Sequence, residues 1–281
     1  MLKAKKIIFG FYGIVLCCFL FLGFILYSEF SQRNLEFYVF DVGQGDAIFI
    51  RTPKHYDILI DGGQDNEVVY KLGEYLPFYD REIDLMILTH PHADHVVGLI
   101  EVLDRYKVKK IFTTGVLYYS PDYLAWLDKV EEKNIPVEII DSQRTLALSD
   151  GTRIDILFPD YSLENKKIEN LNNASIVAKL IYAGTTIMLT GDYEDEESLV
   201  EKDLNLSADI LKVGHHGSDT ANDLEFLKAV NPEAAVISCG QDNKFGHPHQ
   251  ATLDNLENLG IEAFRTDLSG DFFKIIERES R

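Results

Sequence analysis

The chain has 281 residues, 46% of them hydrophobic, enough for one sizeable core and in the usual range of a single α/β domain. Lysine and arginine total 27 against 46 aspartates and glutamates, a net charge of −19, which excludes broad electrostatic binding of nucleic acid because a nonspecific grip on phosphates needs a basic face. Divalent cations bound in one place would offset several of those charges and leave room for a small or end-on phosphate substrate.

Met1 to Lys6 carries Lys3, Lys5 and Lys6, and residues 7–27 then run without a charge, long enough to cross a bilayer. A cleavable signal peptide would have a shorter apolar region and a small-residue cleavage site, which Leu26-Tyr27-Ser28-Glu29 does not supply, so the stretch reads as an uncleaved transmembrane helix. With the lysines before the span, the N-terminus is expected in the cytoplasm and the rest of the chain outside, a single-pass plasma-membrane protein. The expected division is residues 1–29 as tip and anchor and 30–281 as the folded domain. Cys17 and Cys18 fall in the anchor, leaving Cys239 alone in the domain, where it reads as a packed residue at the end of a buried strand.

Residues 35–40, 47–51 and 58–60 read as strands around the turn Gly43-Gln44-Gly45. A helix capped by Asp65 or Asn66 runs to about Leu76, where Pro77 stops it. Residues 83–88 form a buried strand. Pro91 then takes the backbone out of the ladder, so His90, His92, Asp94 and His95 are expected in a loop, with a helix following from Gly98 to Tyr106. Ser120 at the N-cap with Pro121 at N1 opens a helix to about Lys133. Residues 137–140, 145–148 and 152–158 suggest a second antiparallel run, and 175–182 with 185–189 a hairpin about Ala183-Gly184. Acidic Glu194 to Glu197 opens a helix. Strands at 208–213, 234–238, 262–265 and 272–276 then alternate with helices at 223–230 and 250–259.

Residues 90–95 put four ligand-type side chains into six positions after an apolar strand, and apart from His55 the histidines fall into three tight groups: 90, 92 and 95; 215 and 216; 247 and 249. A polar helix-capping loop would not need such density, and imidazole with carboxylate suits zinc, iron or manganese. No Gly-x-Ser-x-Gly is present, and Cys239 has no nearby histidine in sequence, so a serine or cysteine nucleophile is not indicated.

His90-Pro-His92-Ala-Asp94-His95 resembles the His-x-His-x-Asp-His signature of the metallo-β-lactamase superfamily. Asp41-Val-Gly-Gln-Gly-Asp46, Leu59-Ile-Asp61-Gly-Gly, Asn172-Asn-Ala-Ser175, Leu189-Thr-Gly-Asp192, Leu211-Lys-Val-Gly-His215-His216-Gly-Ser218 and Gly246-His-Pro-His249 follow in the order of the extracellular hydrolase domain of ComEC-type DNA-uptake competence proteins. The resemblance implies a four-layer αββα sandwich with two divalent metal ions, zinc or manganese. It places His90 and His92 on one metal, Asp94 and His95 on the other, and Asp192 as the bridge. One of His215 and His216 completes the second metal while the other faces substrate, since successive side chains point apart; His215 is taken as the ligand. No histidine stands between 95 and 215, so the first metal would lean on Asn173 or water. Asp61 is the expected partner that orients the histidine loop, with Asp46 nearby, and His247 and His249 would donate to a phosphoryl oxygen alongside the metal-bound Asp94 in catalysis.

A binuclear metal site supports hydrolysis, and the resemblance implies a membrane-anchored phosphodiesterase or nuclease serving DNA uptake, with a separate channel as partner. A phosphodiesterase of cell-wall or lipid head groups suits the acidity and the anchor as well. From a different class, a non-catalytic binding domain that has kept the fold is the remaining alternative.

Overall fold

In Leu35–Val39 (β1) and Ile48–Arg51 (β2) both faces of the ribbon are buried, and alternate side chains divide between two cores. Leu35, Phe37, Val39, Ile48 and Ile50 pack in one; Tyr38 and Phe49 pack in another. Such a strand must sit between two layers. The computed structural model describes residues 12–23, 34–202 and 204–278.

Residues 12–23 form a helix, α1. Among the described residues no helix is long and apolar enough to cross a membrane. The remaining parts of the expected 7–27 span and of the linker after it lie outside the described residues.

After β1 and β2 come β3 (Asp57–Ile60), α2 (Glu67–Tyr75), β4 (Glu82–Ile83), β5 (Leu85–Ile87), α3 (Ala93–Arg105), β6 (Lys107–Val108), β7 (Ile111–Thr113), α4 (Pro121–Glu132) and β8 (Val137–Ile139). The second half holds β9 (Arg144–Ala147), β10 (Arg153–Phe158), β11 (Val177–Tyr182), β12 (Thr185–Leu189), α5 (Glu196–Glu201), β13 (Ile210–Lys212), α6 (Leu224–Val230), β14 (Ala234–Ile237), α7 (Gln250–Asn258), β15 (Glu262–Arg265), α8 (Thr266–Ser269) and β16 (Phe272–Ile276).

Two seven-stranded sheets result, in the orders β16-β1-β2-β3-β5-β7-β8 and β15-β14-β13-β12-β11-β10-β9. Isoleucines, leucines and phenylalanines from both fill the space between them. Residues of α2, α3 and α4 cover the outer face of the first sheet, and residues of α5, α6 and α7 that of the second. This is the αββα sandwich.

Two expectations change. Asp94 and His95 do not sit in a loop but in the first turn of α3, because Pro91 precedes the helix and His92 takes the N-cap with an extended backbone, so nothing breaks the helix after Ala93. Residues 137–140 do not join a second antiparallel run. The helix α4 brings β8 back alongside β7 in parallel, as a strand-helix-strand connection requires. The last strand, β16, returns to pair antiparallel with β1, Leu35 opposite Ile276.

The parallel strands β3 and β5 in one sheet, and β12, β13 and β14 in the other, end at one rim, where open α/β sheets build their sites. The start of α3 is pinned there. Gly62 N donates to His95 O at 2.8 Å, and Gly98 N to Gly63 O at 3.1 Å. A Cβ on Gly98 would lie 1.8 Å from Gly62 O. Gly98→Ala is therefore expected to force α3 off the rim and to cost about 1–3 kcal/mol, measured by urea unfolding; a change within about 0.5 kcal/mol would show the approach is not tight.

Candidate metal centre

Asp61 organises the first sheet's contribution. It ends β3 in a left-handed conformation and accepts from Thr89 N at 2.8 Å, Thr89 Oγ1 at 2.6 Å and His95 Nδ1 at 2.8 Å. The bond to Nδ1 fixes the tautomer, so His95 Nε2 is aimed at Asp192 Oδ2, 3.2 Å away across the two sheets. With its proton given to Asp61, the Thr89 hydroxyl accepts from His90 Nδ1 at 3.1 Å, while Ser175 Oγ lies 3.2 Å from the same nitrogen. His90 Nε2 then faces Asp192 Oδ2 at 3.7 Å and His92 Nδ1 at 3.0 Å.

The second sheet supplies Asp192 after β12 and the pair His215 and His216 after β13. Both histidines are left-handed, with φ of 46° and 55°, a strained state for residues with a Cβ. Asn222 holds the turn, accepting from Gly214 N and donating to Gly214 O, each at 2.9 Å. The outcome reverses the expected assignment. His216, fully buried, brings Nε2 to 3.4 Å from both Asp94 Oδ2 and Asp192 Oδ2, and its Nδ1 donates to Ser238 O at 3.0 Å. His215 turns outward: Nδ1 lies 2.7 Å from Glu194 Oε1, and Nε2 stays 4.0 Å from Asp192. The two side chains do point apart, as expected, but the left-handed turn puts His216 and not His215 on the inner side.

Other expected residues separate in the same way. Asp46 is buried, with Lys212 Nζ 2.8 Å from its Oδ1 and His216 Nδ1 3.4 Å away. His247 joins the rim, its ring centre 5.4 Å from that of His215 and 6.1 Å from that of His216. Asn173 does not reach the centre. Its Oδ1 accepts from the backbone of Glu194 and Asp195, each at 3.0 Å, so it caps the segment before α5 instead of leaning on a metal. His249 is not aimed at the centre either: Nε2 donates to Phe245 O at 3.2 Å and Nδ1 accepts from Asp219 N at 3.0 Å, which makes it a fastener between two loops. Glu194, Lys212, Ser175 and Thr89 are the contributors the motifs did not single out as functional. The regular place of Ser175 and Lys212 inside two quoted motifs was the available signal.

The electrostatics call for cations. Burial would lower His95 and His216, yet the facing carboxylates, Asp192 with Asp61 for one and Asp192 with Asp46 for the other, raise both well above the usual histidine value. Burial would raise Asp192, and His216 and His95 hold it well below the carboxylate range. Burial and the charge on His95 keep His90 and His92 low, so their nitrogens stay neutral as a ligand requires. Two buried atoms at the centre, Asp192 Oδ1 and His216 Nε2, have no hydrogen-bond partner. His90, His95 and Asp192 bring ligand atoms within 4.8 Å of one another, and so do Asp94, His95 and His216. Orphaned ligand atoms in a set of imidazoles and carboxylates fit resident divalent metal.

Residues 40–241 match the model of the metallo-beta-lactamase superfamily. The chain is 30% identical over 277 residues to ComE operon protein 3 of Bacillus subtilis, covering 92% of this chain and 35% of that protein. It is 31% identical over 257 residues to Competence protein ComA of Neisseria gonorrhoeae, covering 88% and 33%. It thus spans about a third of the length of these curated relatives. Among solved structures, Igni18, a metallo hydrolase from Ignicoccus hospitalis, superposes with a TM-score of 0.55 at 15% identity over 88% of this chain and 100% of that one, a likeness of fold.

Proposed function

The chain belongs to the metallo-beta-lactamase superfamily, and from that premise we propose that it is a metal-dependent phosphodiesterase, with DNA strands handled during uptake as its substrate. The observation that carries the reading is Asp192: its Oδ2 lies 3.2 Å from His95 Nε2, 3.4 Å from His216 Nε2 and 3.7 Å from His90 Nε2, which suits a carboxylate shared between two cations. His90, His92 and Asp192 would hold one, and Asp94, His95, His216 and Asp192 the other, with zinc or manganese the fitting ions. Such a pair, when bound, lowers the pKa of water and clamps the oxygens of an in-line displacement.

The protein's own groups do the rest. Asp61 holds the proton on His95 Nδ1 and keeps Nε2 aimed inward. Glu194 Oε1, 2.7 Å from His215 Nδ1, orients that ring beside the centre. Burial, with the charge on His216, pushes His247 down to about 4, and Gln44 Nε2 sits 3.4 Å from its Nδ1. A neutral His247 that accepts there carries its hydrogen on Nε2, available to a phosphoryl oxygen.

The names of the relatives support a role in competence, and with it a separate DNA channel as partner. The net charge of −19 favours the runner-up, a phosphodiesterase of lipid or cell-wall head groups. The uncharged 7–27 stretch behind three lysines supports a plasma-membrane anchor with the domain outside. The purified chain, with manganese or zinc, is expected to hydrolyse bis-p-nitrophenyl phosphate and single-stranded DNA and to leave a β-lactam and a thioester intact. Turnover of the lactam or thioester without either diester would overturn the proposal, and protection of the domain from protease added to intact cells would overturn its outward placement.

A further inference from the structure

Successive ring contacts cross the centre from one lip to the other. Phe245 meets His247 at 5.6 Å, His247 meets His216 at 6.1 Å, and His216 meets His95 at 5.4 Å. On the far side His92 meets Tyr118 at 6.2 Å, beside an exposed Tyr119. Phe245 is half exposed, at 51%, and lies nearly parallel to the His247 ring, at 20°.

The Phe245 backbone is held on both sides. Its amide and that of His247 donate to Asn243 Oδ1, at 3.2 and 3.0 Å, and its carbonyl accepts from His249 Nε2. Lys244 Nζ lies over the ring, 4.9 Å from its centre. Three hydrogen bonds thus fasten a segment whose half-exposed ring stands at the edge of the metal centre with an ammonium over it, in a chain of net charge −19. Apolar surface held exposed and preorganised marks a contact site. A flat ring under an ammonium suits a planar, anionic partner: an unpaired nucleobase that takes the ammonium's place over the ring, with its phosphate drawing the displaced lysine.

We propose that Phe245 is the stacking platform that seats the base next to the scissile phosphate, so that single-stranded nucleic acid, and not a head group, fits this site. The inference rests on the phosphodiesterase reading for the position of the phosphate. It also gives the Gly246-His247-Pro248-His249 segment its work, with His247 backing the ring and His249 fastening its carbonyl. Duplex DNA keeps its bases stacked and presents none to the ring.

The test compares the full chain with Phe245→Ala, Phe245→Leu and Phe245→Trp, measuring by fluorescence anisotropy, without added metal, the affinity for oligothymidylate and for an abasic strand of equal length. Wild type and the Trp variant are expected to prefer the base-bearing strand about tenfold, and the Ala and Leu variants to lose the preference. Equal affinity of wild type for both strands, as a head-group or backbone-only site would show, overturns the proposal, and so does a Leu variant that keeps the preference. Hydrolysis of bis-p-nitrophenyl phosphate by wild type is read separately. If it is absent, the phosphodiesterase reading falls while the binding ratio still decides the role of Phe245.

Discussion

Asp192→Asn is expected to lose bound divalent metal and to lower turnover of the cleaved diester about a thousandfold, roughly 4 kcal/mol of transition-state stabilisation. The substitution keeps the shape of the side chain and removes its charge. Three imidazole Nε2 atoms converge on Oδ2 within 3.7 Å, and Oδ1 is buried without a partner, so no other group at the centre substitutes for this carboxylate. Metal content by elemental analysis, turnover and circular dichroism form the readout. A variant that retains its full metal equivalents and its rate would sink the assignment of the centre. The same measurements separate the neighbouring histidines. His216→Ala should lose metal, because its Nε2 faces Asp94 and Asp192, whereas His215→Ala should keep metal and lose rate, because its ring is held by Glu194 at the rim.

Much of this was legible from local pattern. Four ligand-type residues after an apolar strand placed the centre; Ser120 does cap α4, accepting from Tyr123 N at 3.2 Å; and the hairpin about Ala183-Gly184 pairs Tyr182 with Thr185. Each of these depends on a few adjacent residues. The misplaced features depend on backbone state or on partners far along the chain. That the two rings point apart was expected, but which of them faces inward follows from two left-handed residues held by Asn222, a backbone state the local pattern does not specify. Asn173 lost its expected role because the amides of Glu194 and Asp195, brought close by the fold, claim its oxygen. Residues 137–139 read correctly as a strand, but their sheet was decided by the crossover through α4.

Lys212→Met should destabilise the domain by about 3–5 kcal/mol at pH 7, the range for breaking a buried ion pair from one side. Lys212 is wholly buried in the middle layer, with Nζ 2.8 Å from Asp46 Oδ1 and 3.0 Å from Val213 O. Burial would raise the Asp46 carboxyl, and Lys212 is the foremost of the groups that bring it down instead, to about 2. Since that value lies below the unfolded value of 3.8, the wild-type pair contributes stability above about pH 4 and loses it as pH falls toward 2. Methionine fits the apolar part of the lysine stem but leaves Asp46 charged with its nearest cation gone and only His216, 3.4 Å away, facing it, so the deficit should be largest at neutral pH and shrink in acid as Asp46 takes a proton. Adding Asp46→Asn to Lys212→Met removes the stranded charge and should restore part of the loss, a coupling that a double-mutant cycle in urea reads directly. If the single variant unfolds within about 0.5 kcal/mol of wild type, or the second substitution restores nothing, the pair does not stabilise the floor of the centre as its geometry implies.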